Sequence, residues 1–162
     1  MKRRAFLGLL LPIAMAPPGI CAQSNPDFSG TWKQSNERST PRRMGNVTLK
    51  IDHRDPELTV ATTILRGSAS PRRALQQYST DGKVSTSTGA DGDQFHTSIV
   101  WMGQSLVFMV EEHEDGRVLR SQETWTLIEN GAALERVREP LSGSPDGAGK
   151  QTLIYLREAP QS

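Results

Sequence analysis

The chain contains three histidines, His53, His96 and His113, and these side chains are the best suited to metal binding or acid–base chemistry. Either chemistry needs imidazoles that converge with one another or with carboxylates. The sequence places His53 beside a turn, His96 on a strand and His113 near a hairpin, and no two of them lie two residues apart on one strand. We therefore expect separate surface histidines and no metal site.

Other reactive groups do not form a recognisable constellation. The carboxylates of Glu111 to Asp115 lie close together, but the segment lacks the alternating ligand pattern of a dedicated calcium loop. No serine lies in a Gly-x-Ser-x-Gly elbow. The basic pairs Arg42-Arg43 and Arg72-Arg73 are not interleaved with aromatic residues, as a groove for single-stranded nucleic acid would be. We predict no catalytic residues, no enzyme activity and no cofactor.

Apolar and polar residues alternate with a period of two, which is typical of β-strands, and no stretch has helical spacing. Val47 to Ile51 and Leu58 to Ile64 form a predicted hairpin around a turn at Arg54 to Glu57. Asp81-Gly82 predicts a tight hairpin turn between a strand carrying Tyr78 and one from Val84 to Thr88. Further turns are expected at Gly103-Gln104, Asp115-Gly116 and Asn130-Gly131.

This pattern predicts an all-β fold of roughly ten strands joined mostly by short turns. Such a meander avoids two exposed edges by closing into an up-and-down antiparallel barrel, in which the first strand pairs with one near the C-terminus. A two-sheet sandwich is the alternative, although sandwiches usually need longer crossing connections. Ser35 to Gly45 is predicted to be a polar loop, either a lid over the barrel mouth or a solvated linker.

Residues 1–22 have the order of charged, apolar and small residues that is typical of an export signal, with cleavage expected after Ala22. The apolar stretch is too short and too interrupted by proline for a membrane span. Arg3-Arg4 is compatible with the twin-arginine route and with general secretion. Cys21 would be an acylation site in a lipoprotein, but the preceding Ile20 is not small, which disfavours anchoring. We predict an exported, periplasmic or secreted protein whose barrel domain spans 23–162.

Net charge disfavours nucleic acid and anionic membranes as partners. The chain carries 19 lysines and arginines against 18 aspartates and glutamates. Removal of Lys2, Arg3 and Arg4 leaves 16 against 18, a net charge of about −2 for the exported part. This near-neutral balance of mixed signs lacks the basic footprint that either partner requires. The sequence does not predict an oligomeric state.

The run from Pro26 to Lys33 contains Gly30 and Trp32 in a Gly-x-Trp motif, and it resembles the opening of lipocalin-type barrels of the calycin group. Four later segments extend the resemblance to a family of secreted bacterial lipocalin-like proteins without an assigned activity: His53 to Leu58, Tyr78 to Lys83, Trp101 to Leu106 and Glu123 to Leu127. The resemblance implies that Gly30 and Trp32 form the barrel base and that Arg157 stacks over the tryptophan. The disulfide and the later motifs of lipocalins are not matched.

A lipocalin-like barrel implies reversible binding of a small apolar or amphipathic molecule in the barrel mouth. The interior candidates for contact with such a ligand are Tyr78, Phe95, Trp101, Phe108 and Trp125. An envelope or interaction module with a filled core, acting through its outer surface without a ligand, is the alternative.

Overall fold

A computed structural model describes residues 24–42, 45–89, 92–142 and 149–159. These residues form ten antiparallel strands. The expected export signal and Cys21 lie outside the described residues. The strands are β1 (Gly30–Thr40), β2 (Asn46–Arg54), β3 (Glu57–Leu65), β4 (Arg72–Ser79), β5 (Ser85–Thr88), β6 (Gln94–Met102), β7 (Ser105–Glu114), β8 (Arg117–Ile128), β9 (Ala133–Ser142) and β10 (Gln151–Arg157). One 3-10 turn, Glu129–Gly131, links β8 to β9.

The strands hydrogen-bond in the order β4-β3-β2-β1-β10-β9-β8-β7-β6-β5, which wraps the sheet into a nearly closed barrel. The first strand pairs with the last, with Trp32 opposite Arg157 and Gln34 opposite Tyr155. The predicted all-β, up-and-down barrel of about ten strands is confirmed. Within the described residues, no helix is long and apolar enough to cross a membrane.

The hairpin predicted at Asp81-Gly82 is wrong, because β4 and β5 are the two edges of the sheet and do not pair. Gly82 does have the positive φ of +85° that a tight turn uses. Its N–H, however, donates to the Ile99 carbonyl at 2.9 Å, and the Thr80 N–H donates to the Pro56 carbonyl at 2.8 Å. The turn is therefore tied to the neighbouring hairpins, and a gap, the β4–β5 slot, remains between the two edges.

The loop predicted from Ser35 to Gly45 is wrong over its first half, because β1 continues to Thr40. The pairing with β10 shifts register between Ser35 and Thr40. Ser39 stabilises this irregularity, since its hydroxyl donates to the Ser35 carbonyl at 2.7 Å and accepts from the Ile154 N–H at 3.1 Å. Only residues 41–45 therefore remain between β1 and β2 for the lid or solvated linker that the sequence suggested.

The closed end of the barrel is built around Trp32 and Phe28, whose side chains are both fully buried. The Trp32 indole N–H donates to the Phe28 carbonyl at 3.0 Å. The Arg157 guanidinium lies 4.1 Å above the centre of the indole and donates to the Ser29 and Gly131 carbonyls at 2.6 and 2.9 Å. Gly30 has φ +136°, and a Cβ there would lie 2.8 Å from Arg157 Nη1. The positive φ favours glycine at this position, and a side chain there would also push the guanidinium from its place over the indole.

Replacing the base tryptophan tests this packing. Trp32→Ala should lower the free energy of unfolding by about 3 to 5 kcal/mol, because it leaves a cavity beneath Arg157. Urea unfolding followed by circular dichroism measures the change. Val100→Ala is the matched control, since Val100 is 44% exposed and should change stability by less than about 0.5 kcal/mol. A Trp32→Ala loss similar to that of the control would show that Trp32 does not fill the closed end of the barrel.

Candidate functional site

A cavity of about 170 Å³ lies inside the barrel, between its middle and the end opposite Trp32. Six strands each contribute two residues, two positions apart, because alternate residues of a strand face the same side. The lining residues are Val60 and Thr62 of β3, Gln76 and Tyr78 of β4, Phe95 and Thr97 of β6, Phe108 and Val110 of β7, Glu123 and Trp125 of β8, and Arg136 and Arg138 of β9.

A largely buried ion pair, Arg136 with Glu123, forms one wall of the cavity. Glu123 Oε1 accepts from Arg136 Nε at 2.7 Å and from the Trp125 indole N–H at 2.5 Å, and it lies 2.6 Å from Arg136 Nη2. The two side chains are only 19% and 14% exposed. Burial alone would lower the pKa of Arg136, but the charge and hydrogen bonds of Glu123 outweigh it and hold this pKa above its ordinary value. Arg136 is therefore a fixed cation.

Aromatic rings form the adjoining, apolar part of the wall. The Phe108 ring centre lies 4.6 Å from that of Trp125 and 5.9 Å from that of Tyr78. The Arg136 guanidinium lies 4.6 Å from the Trp125 ring centre, so the ion pair and the aromatic wall are one packed unit. Burial raises the pKa of Tyr78 to about 12, which keeps its hydroxyl neutral.

A second cavity, of about 490 Å³, lies along the β4–β5 slot. It shares Thr62, Gln76 and Phe95 with the inner cavity, so the two spaces adjoin. The side chains of these three residues therefore lie between the inner cavity and the slot in the side of the barrel.

Arg138 is the more exposed of the two cavity arginines. Its side chain is 45% exposed, its Nε donates to Ser121 Oγ at 3.3 Å, and its Nη2 lies 4.0 Å from Glu112 Oε2. These contacts are longer than those of Arg136, so Arg138 has donor capacity available for a bound molecule. It lies nearer than Arg136 to the end of the barrel opposite Trp32.

Four of the five aromatic residues predicted to face a ligand line the inner cavity: Tyr78, Phe95, Phe108 and Trp125. Trp101 lies instead near the closed end, where its ring centre is 6.0 Å from that of Phe28. Its indole N–H donates to Asp55 Oδ1 at 2.9 Å.

Sequence reasoning missed Glu123, Arg136 and Arg138. Glu123 lies two residues before Trp125, and Arg136 lies two residues after the buried Leu134. Charged residues at inward positions of a strand pattern were the signal that could have identified them.

The expectation of a surface position is wrong for His53, whose side chain is 3% exposed. The Phe28 N–H donates to its Nδ1 at 3.3 Å, while Asp27 and Asp55 lie 3.9 and 3.8 Å from its ring nitrogens. His53 lies just before the β2–β3 turn, and it is buried because Phe28 of the N-terminal segment packs against it. His53 thus anchors that segment to the closed end.

The expectation that the histidines lie apart is wrong for His96 and His113, whose ring centres are 4.8 Å from each other. His96 lies opposite Glu111 in the β6–β7 ladder, and His113 lies two residues beyond Glu111. A search for pairs on a single strand could not detect this juxtaposition across two strands.

No protein-family model matches this chain, and a search of curated proteins finds no significant match. Solved structures do match. A secretary abundant heat soluble protein from Ramazzottius varieornatus superposes with a TM-score of 0.60 at 12% identity, covering 81% of this chain and 95% of that one. Fatty-acid-binding protein 1 of Echinococcus granulosus gives 0.56 at 12% identity, with 82% and 98% covered. Lipid binding protein 8 of Caenorhabditis elegans gives 0.57 at 11% identity, with 81% and 95% covered.

The chain has the up-and-down β-barrel fold of these structures. At these identities the likeness shows the fold alone, and it agrees with the resemblance to lipocalin-like proteins in the sequence.

Removing one member of the buried ion pair should lower the free energy of unfolding more than removing both members. Glu123→Leu leaves the Arg136 guanidinium without its counter-ion and should lower the free energy of unfolding by about 3 kcal/mol. The double variant Glu123→Leu, Arg136→Met should lose less, because no charge is left unpaired. Urea unfolding of the parent and the two variants measures both values. A double variant less stable than the single one would contradict the pairing.

The acid sensitivity of the closed end should depend on Asp55. A hydrogen bond from the Thr80 hydroxyl, aided by those from Trp101 and Asn25 and opposed by partial burial, holds the pKa of Asp55 below its ordinary value. The ionised carboxylate therefore stabilises the fold above about pH 4, and this contribution is lost as the pH falls through the lowered folded-state pKa.

Comparison with Asp55→Asn isolates this contribution. The difference in free energy of unfolding between parent and variant should be largest near pH 6 and should shrink at about pH 3 and below. Urea unfolding at the two pH values measures it. A difference that does not change with pH would show that the Asp55 charge does not stabilise the fold.

Proposed function

We propose that this protein reversibly binds a small amphipathic molecule inside the barrel. The observation that carries the proposal is the inner cavity, in which an aromatic wall and a cationic group face the same space. Likeness to barrels named as fatty-acid-binding and lipid binding proteins supports the same class of ligand.

The apolar part of the ligand would pack against Tyr78, Phe108 and Trp125, which lie deeper in the barrel than Phe95 and Arg138. Removal of its apolar surface from water contributes about 25 cal/mol per Å². The rings already pack on one another and on Arg136, so they are held in place before a ligand arrives. A wall ordered in advance reduces the entropy cost of binding.

The polar end of the ligand would lie at Arg138. Arg136 is neutralised by Glu123, whereas the nearest carboxylate to Arg138 is 4.0 Å away at Glu112. A carboxylate or similar anion can accept paired hydrogen bonds from a guanidinium. The proposed ligand class is therefore a small acid with an apolar tail.

Cavity size limits the length of the tail. The inner cavity of about 170 Å³ is smaller than the roughly 300 to 1,000 Å³ of most ligand sites, so it holds only part of a larger molecule. The adjoining space of about 490 Å³ along the β4–β5 slot can hold the remainder. A longer ligand would extend sideways through the wall past Phe95.

The alternative, a barrel that acts only through its outer surface, predicts no molecule in the interior. We further propose that the protein acts after export, on the support of residues 1–22 alone. Mass spectrometry of the protein from its own host tests both points. Native conditions should reveal a bound small molecule, and the mature chain should begin at Gln23.

A bulky side chain in the cavity should block binding. Val110→Phe should weaken binding of decanoate by at least about tenfold, because the added ring occupies the space for the tail. Met109→Phe is the matched control, since Met109 is the neighbouring residue on β7, is 39% exposed and is not among the residues that line the cavity. Calorimetric titration measures the affinities, and near-ultraviolet circular dichroism checks that both variants are folded.

Equal decanoate affinities for the two phenylalanine variants would contradict binding in this cavity. Arg138→Gln separates the polar end from the apolar one: it should weaken binding of decanoate and leave binding of decanol unchanged, since only the acid carries a charge. If the parent binds neither decanoate nor decanol, and native mass spectrometry shows no bound small molecule, the results would favour a barrel that acts only through its outer surface.

A further inference from the structure

Two histidines and a glutamate converge on the outer surface of the barrel, on β6 and β7. Phe95, Thr97 and Val110 line the inner cavity, so His96 and Glu111, which alternate with them, face outwards. His113 shares the outer face with Glu111 because it lies two residues further along β7. This cluster, the His96–Glu111–His113 cluster, has no part in the proposed ligand site.

The three side chains are close enough to share one ion. One ligand atom from each lies within 4.8 Å of those of the other two. A metal ion bound at about 2.0 to 2.2 Å by such groups holds its ligand atoms a little more than 3 Å apart. The side chains therefore need to approach by up to about 1.5 Å, and they have the freedom to do so, since Glu111 and His113 are each 40% exposed.

The surroundings of Glu111 favour ligation through one oxygen. Arg120 Nε donates to Glu111 Oε1 at 2.7 Å, whereas Oε2 lies 4.0 Å from His113 Nε2. A carboxylate fixed by a hydrogen bond at one oxygen presents the other in a defined direction, as outer-shell partners of metal ligands commonly do. The ladder hydrogen bonds between β6 and β7 hold the three backbone positions in register.

We propose that His96, Glu111 and His113 bind a divalent transition-metal ion, with Zn²⁺ as the test ion. Two imidazoles and one carboxylate, without a thiolate, suit Zn²⁺, and three protein ligands leave a position for water. The positive charge of Arg120 opposes a dication, so binding should be weaker than in a closed site with four protein ligands. A bound ion would join β6 to β7 beside the edge strand β5, since Thr86 of β5 pairs with His96.

Calorimetric titration of ZnCl₂ into chelator-treated protein without a polyhistidine tag tests the proposal. The parent should bind one Zn²⁺, and His96→Asn, His113→Asn and Glu111→Gln should each weaken binding by at least about tenfold. Gln94→Ala is the matched control, because Gln94 lies on the same outer face opposite His113 and is not a ligand. Its affinity should equal that of the parent.

Thermal unfolding gives a second readout. Because the ion binds only the folded cluster, excess Zn²⁺ should raise the melting temperature of the parent and of Gln94→Ala, and should not raise that of the histidine variants. Val110→Phe should retain the Zn²⁺ effect, which separates this site from the ligand cavity.

Absence of Zn²⁺ binding by the parent would overturn the proposal. Undiminished binding by the double variant His96→Asn, His113→Asn would also overturn it, because the ion would then occupy another part of the chain.

Discussion

Pairing of β1 with β10 is the constraint on which the other features of the barrel depend. Antiparallel strands that follow one another in sequence pair through short turns, but this contact joins the two ends of the strand series. Trp32 and Arg157 are opposite one another in this pairing, so the stacked ring and guanidinium lie where the sheet joins. Without that join, the inward-facing residues of β3 and β9 would not lie around the same space.

The Arg136–Glu123 pair places two opposite charges in the barrel interior. Moving two charges from water into a protein interior costs free energy, and apolar residues of similar volume often serve stability at least as well. Here the pair also fixes the indole of Trp125, which donates to the same glutamate oxygen that Arg136 contacts. The ion pair therefore orders the aromatic wall of the cavity at a cost that an apolar core would avoid.

Local patterns in the sequence predicted most of the fold. Alternation along Val47 to Ile51 and Leu58 to Ile64 predicted the β2–β3 hairpin, and the Gly-x-Trp motif predicted that Gly30 and Trp32 lie at the barrel base. The β4–β5 slot could not be predicted in this way. Asp81-Gly82 supplies the φ angle of a turn whether or not the flanking strands pair, and only the contacts of Thr80 and Gly82 with other hairpins decide between the two.

For the candidate site too, alternation along single strands predicted which residues face inwards, but not the contacts between residues that are distant in sequence. Alternation predicted that Tyr78, Phe95, Phe108 and Trp125 face inwards, but it does not give depth along the barrel, so Trp101 was grouped with them. The meeting of His96 with His113 depends on the register of two strands, which spacing along one strand does not report. The burial of His53 depends on an N-terminal segment 25 residues away in sequence at Phe28.

The unpaired edges of β4 and β5 also affect how the barrel can deform. In a fully closed barrel, widening the circumference breaks rows of inter-strand hydrogen bonds. Here the facing edges share no such row, so they can separate while every existing strand pair stays intact. The barrel can thus widen along this slot at the end away from the Thr80 and Gly82 contacts, while the β1–β10 pairing beside Trp32 lies on the opposite side.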